Sequence, residues 1–116
     1  MSISQIAFAP QGKTIVVAAA SVAPLGIQVP VMDGPSKPTS GQYRIVNAGT
    51  NTVFLGVGST AANAQANAVA PVAGNPSPAI PMVPGAVEIL RFGEEVYFSG
   101  LAAAATTLYI TPGQGM

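Results

Sequence analysis

Tyr43-Arg44-Ile45-Val46-Asn47-Ala48-Gly49-Thr50-Asn51-Thr52-Val53-Phe54-Leu55-Gly56-Val57 is the stretch whose reading decides the fold. β-Branched and aromatic residues fill both halves, as a pleated and half-buried strand prefers. The middle, Ala48 to Asn51, holds Gly49 and Asn51, two residues that tolerate the left-handed backbone of a short β-connection. The spacing predicts a hairpin of 43–47 with 52–57. In its second half Val53, Leu55 and Val57 share one face, because successive side chains of a strand alternate. Gly56, on the other face beside Phe54, leaves room for a second backbone to approach, or marks a bulge.

Working outward, further β-rich runs lie at 5–9, 13–19, 86–92, 95–99 and 106–111, punctuated along the chain by 13 Gly and 11 Pro. Val87 to Phe92 and Val96 to Phe98 predict a second hairpin through Gly93-Glu94, with apolar groups on both faces of its first strand. In Thr107-Leu108-Tyr109-Ile110-Thr111, Leu108 and Ile110 point inward and the hydroxyls outward. Seven or eight short strands read as an all-β, single-domain antiparallel β-sandwich over 1–116, either jelly-roll or immunoglobulin-like. All seven aromatic residues fall in these runs, as expected of a packed core.

Two stretches interrupt the pattern and read as long Pro/Ala-rich loops. Residues 22–40 carry four prolines, and residues 59–85 have no charge. Long loops in a compact domain mark functional surfaces or arms. Ser59 is placed to cap a short helix over the Ala-rich 60–66, ended by Pro71, Pro76 and Pro78. Residues 1–12 form a possible N-terminal arm.

The composition narrows the function. The chain has no His, Cys or Trp, and only four Lys plus Arg against four Asp plus Glu among 116 residues. Proton transfer and nucleophilic attack depend on groups that ionise near neutral pH, so an enzyme is not expected. A formal charge of zero gives no field for nucleic acid or anionic lipid. The longest apolar run, Thr14 to Leu25, is broken by Ser21 and Pro24 and falls short of the ~20 residues of a spanning helix. With 49% hydrophobic and 7% charged residues, against roughly a quarter charged in typical domains, the surface is expected to be covered by other subunits.

Signals that resemble chemistry have simpler readings. Gly56-Val57-Gly58-Ser59-Thr60-Ala61 matches the dinucleotide fingerprint, but no acidic residue follows some twenty positions on, where the chain reads Asn75-Pro76-Ser77-Pro78. A Gly-rich strand exit is the expectation, with no cofactor. Glu94 and Glu95 are neighbours that point to opposite faces of an extended chain. Asp33-Gly34-Pro35 is a turn signature, too poor in oxygens for a metal. Lys13, Lys37, Arg44 and Arg91 are too dispersed for a basic patch. Arg44 and Arg91 sit within predicted strands, where the favoured reading is a cross-strand pair with Glu88. The Arg and aromatic side chains Arg44, Phe54, Arg91, Phe92, Tyr97 and Tyr109 are the candidate interface residues; no catalytic, cofactor-binding or metal residue is assigned.

The stretch 43–58 resembles a segment of small structural proteins of tailed bacteriophages. So do Ile80-Pro81-Met82-Val83-Pro84-Gly85-Ala86-Val87-Glu88-Ile89-Leu90 and Leu108-Tyr109-Ile110-Thr111-Pro112-Gly113-Gln114-Gly115. The resemblance implies a virion protein made in the host cytoplasm and carried on the outer capsid surface. It implies a capsid decoration or cement protein whose partner is the major capsid protein, with no catalytic residues. A dimer or trimer would hide apolar faces by closed symmetry. A tail, fibre or cell-surface module binding a receptor or glycan is the alternative.

Overall fold

The structure is a computed structural model, described here for residues 9, 10, 12–29, 42–92 and 96–114. Nine strands and one helix follow in order: β1 (Ala9–Pro10), β2 (Ile15–Ala19), β3 (Ile27–Gln28), β4 (Gln42–Asn47), β5 (Val53–Gly58), α1 (Ala61–Asn67), β6 (Ile80–Met82), β7 (Val87–Arg91), β8 (Tyr97–Leu101) and β9 (Thr106–Gln114). The predicted run 5–8, the Gly93-Glu94-Glu95 connection and most of the 22–40 loop lie outside the described residues.

The strands form two antiparallel sheets packed as an all-β sandwich. One has the order β2-β9-β4-β7, with β1 also on β9; the other is β3-β8-β5-β6. The pairings define how the chain winds. β2 pairs with β9, β3 with β8, β4 with β7 and β5 with β6. A long antiparallel ribbon is thus folded over on itself, and β4·β9 and β5·β8 contacts join its turns into sheets. That is the jelly-roll arrangement of two interleaved Greek keys, and it decides against the immunoglobulin-like alternative, which needs neighbouring strands of the chain paired within one sheet.

This winding corrects both predicted hairpins. β4 and β5 lie in different sheets, and so do β7 and β8. Residues 48–52 form an arch from one sheet to the other. Asn47, fully buried, holds it: its Nδ2 donates to the carbonyls of Asn51 and Met82, each at 2.8 Å, and its Oδ1 accepts from Gly49 N at 3.0 Å. Asn51 Nδ2 donates to Thr106 Oγ1 at 3.2 Å, tying the arch to β9. With these bonds made at the corner, the backbone groups of β4 and β5 are free to pair with other strands.

The alternation within strands follows the sequence. Val17 and Ala19 of β2, Tyr43 and Ile45 of β4, Val53 and Leu55 of β5, and Leu108 and Ile110 of β9 are buried between the sheets. Phe98 is the largest fully buried side chain. It meets Tyr43 edge-on at a centroid distance of 5.1 Å and Phe92 at 5.8 Å, an arrangement favoured by the ring quadrupoles. The expectation that all aromatics are core fails for Tyr109, which is 42% exposed.

The 59–85 stretch is more structured than a loop. It contains α1, a tight turn closed by Val72 and Asn75, and β6. Thr60, rather than Ser59, caps the helix: its backbone is extended and its side chain accepts from Asn63 N at 3.1 Å. Ser59 Oγ instead accepts from Asn63 Nδ2. Part of the expected N-terminal arm belongs to the fold, since β1 pairs with the end of β9. Pro10 faces Gly113 and Ile15 faces Ile110, so the register slips by two residues between β1 and β2. Gly12, at φ +123°, takes up this bulge with a backbone that only glycine adopts freely.

Candidate interaction surface

The two outer faces of the sandwich differ. On the β3-β8-β5-β6 sheet, α1 lies over the glycines of β5. A Cβ on Gly58 would stand 2.6 Å from Ala64 N, and one on Gly26 would stand 2.7 Å from Ala64 Cβ. Ala64 and Ala68 are buried in this seam. Gly26 N donates to Ala61 O at 3.0 Å, Gln65 Nε2 to Ala23 O at 2.9 Å and Asn67 Nδ2 to Val57 O at 2.8 Å. The close backbone approach expected at Gly56 is this helix, and it accounts for the fingerprint-like spacing of Gly56 and Gly58.

Among the described residues, no element covers the outer face of β2-β9-β4-β7. The register builds a row across all four strands: Val16 faces Tyr109, Tyr109 faces Val46, and Val46 faces Val87. Val16 is 50% exposed and Val87 48%, with Tyr109 between them. Three strand spacings make the row ~14 Å long. Beside it runs a second row of Thr111, Arg44 and Ile89. The four side chains form an uncharged strip across the sheet, open to water at both ends and at Tyr109.

The candidate residues are distributed unevenly about this surface. Tyr109 and Arg44 lie on it, and Arg91 follows Val87 and Ile89 on the same side of β7. Phe54 and Tyr97 are half-buried on the other sheet, Phe54 between Pro81 and Leu101, Tyr97 between Gly58 and Gln28. Phe92 packs inside against Tyr43 and Phe98. The expected Arg–Glu88 pair is not formed. Arg44 stands opposite Ile89, while Glu88 stands opposite Ile45, so the two side chains leave opposite faces of the sheet. Val16, Val46 and Val87 were missed as surface residues because valine in a strand reads as core. For Val16 and Val46 the signal was available in their parity, since each lies one position from a buried neighbour.

Among the described residues there is no group of three or more His, Cys, Asp or Glu, and no helix is long and apolar enough to cross a membrane. Buried polar side chains are held internally, as with Ser99 Oγ donating to Pro24 O at 2.6 Å. No protein-family model matches the chain, and no curated protein or solved structure is significantly similar to it.

Proposed function

We propose that this chain is a non-enzymatic structural protein of a bacteriophage particle, a decoration or cement protein that lies across neighbouring major capsid protein subunits and holds them together. The observation that carries this reading is the apolar row Val16–Tyr109–Val46–Val87, left open by the described residues on one face of a sandwich whose opposite face carries α1. A flat, uncharged sheet face suits a shell: each bound copy adds its own increment to the stability of the lattice it spans, and the increments sum over many copies. Double-sheet jelly rolls serve in capsids and lectins, and the fold alone does not choose between them. The choice of a capsid rests on the resemblance of segments 43–58, 80–90 and 108–115 to phage structural proteins.

An antibody raised against the recombinant chain tests the proposal on gradient-purified particles from a producing culture, followed by an electron-microscopy map. The expected result is co-sedimentation with particles and density over capsid subunit junctions. Tyr109→Lys is expected to weaken affinity for the particle about tenfold, the effect of losing ~1.4 kcal/mol at an aromatic contact, while the free chain loses no more than ~1 kcal/mol of stability. Density on the tail, or a chain found only in the cell envelope, overturns the capsid assignment in favour of an adhesive module.

A further inference from the structure

The four outer edges of the two sheets are not equally protected against pairing with another chain. β3 has two residues, and β6 has three with Pro81 at its centre. β7 carries the exposed charges of Glu88 and Arg91. Short strands, prolines and charges are the devices by which sheets avoid edge-to-edge association. β2, Ile15-Val16-Val17-Ala18-Ala19, has none of them, and among the described residues its outer edge carries no strand.

We propose that β2 pairs antiparallel with β2 of a second copy, about a two-fold axis through Val17, joining the two β2-β9-β4-β7 sheets into one continuous sheet. Three features point to a second copy as the occupant. First, the pleat must match, because the outward Val16 and Ala18 have to meet outward residues of the partner strand. An axis through Val17 meets that demand and pairs all five residues. Moving the axis one residue either way, to Val16 or Ala18, leaves three paired.

Second, on either side of the central Val17 pair this register sets a large side chain against a small one: Val16 faces Ala18 of the partner subunit, and Ile15 faces Ala19 of the partner subunit. The strand is complementary to its own reverse. Third, the edge is uncharged, so it is matched by an equally uncharged strand. Lys13, the charge nearest to β2 along the chain, ends ~27 Å from the partner's Lys13 at ~3.4 Å per residue, well beyond the ~8 Å screening length. Beside the edge, a cleft of about 150 Å³ between β2 and β3, lined by Val16, Ala18, Leu25 and Ile27, keeps apolar surface within reach of the incoming strand. Leu25 is 62% exposed there. Pairing stops where β2 turns toward the other sheet, since Ala20 O accepts from Ala102 N.

The pairing stands independently of the capsid reading and is tested without particles. The chain has no cysteine, so introduced thiols are unique. Sedimentation of the wild-type chain is expected to show a concentration-dependent dimer. Under mild oxidation, a mixture of V16C and A18C chains is expected to cross-link at least tenfold more than V16C alone, because residue 16 faces residue 18 of the partner. Two copies of residue 16 are diagonal neighbours ~7–8 Å apart, at or beyond disulfide reach. The double variant Val16→Lys with Ala18→Lys is expected to be monomeric and to dimerise again when mixed with Val16→Glu, Ala18→Glu. A wild-type monomer at every concentration overturns the proposal. So does equal cross-linking of V16C alone, or efficient cross-linking through V87C on the opposite edge.

Discussion

Replacing Gly56 by alanine tests the seating of α1 on the sheet. A Cβ at this position would stand 2.5 Å from Ala68 N and 2.7 Å from Ala68 Cβ, and would collide with Ala64 O. Ordinary contact begins near 3.4 Å, so something must give by about 1 Å. β5 cannot retreat, because it is paired on both edges and its other face, Val53 and Leu55, is sealed in the core. The helix must lift, straining the bonds from Asn67 Nδ2 to Val57 O and from Gly26 N to Ala61 O. Overpacking of this kind costs ~1–3 kcal/mol. Against it, removing a glycine from the unfolded chain stabilises by ~0.4–1 kcal/mol, and Gly56 has no positive φ to strain an alanine.

The net is a loss of about 1–2 kcal/mol. For 116 residues the unfolding entropy is about 0.24 kcal/mol/K, which converts that loss to a fall in Tm of ~4–8 °C. Thermal unfolding followed by far-UV circular dichroism measures it. An unchanged or higher Tm for Gly56→Ala would refute the packing argument.

Two further outcomes follow from features already described. Asn47→Ala removes three hydrogen bonds from a fully buried corner and leaves Met82 O without that donor; the expected loss is ~2–4 kcal/mol, read from the urea midpoint, and a loss below ~1 kcal/mol would show that the corner is not held by this side chain. Stability of the wild-type chain should be nearly flat from pH 6 to 9, within ~0.5 kcal/mol, because the sequence has no His or Cys to titrate there; a urea midpoint that moves steeply across this range would contradict it.

Strand identity was legible in the sequence because alternation and β-branching are local properties. Val53, Leu55, Leu108 and Ile110 are buried where the pattern places them. Partner choice was not, and the four residues after Asn47 show why. A hairpin pairing Asn47 with Thr52 would set Ile45 opposite Phe54, placing the inward face of one strand beside the outward face of the next. The core-facing positions of both strands, Tyr43, Ile45, Val53 and Leu55, are odd-numbered, so a four-residue loop conflicts with the pattern it connects. The arch resolves the conflict, and its signature is an Asn, Asn47, whose bonds run to residues 51, 49 and 82. Of the candidate surface, Tyr109 and the strand arginines were visible. The row around Tyr109 was not, because an exposed valine differs from a buried one only by which strands flank it.

The bulge at Gly12 and the short β1 beyond it bring the first described residue beside the last: Ala9 is paired with Gln114. Both ends of the described fold therefore leave from one pole, about 5 Å apart across a strand pair. A fusion joined at Ala9 or at Gln114 is presented from the same pole. A linker of a few residues from Gln114 to Ala9 closes the circle, so new ends can be opened at Gly74, the exposed tip of the turn after α1, opening the Val72–Asn75 turn but leaving every strand pairing of the roll intact.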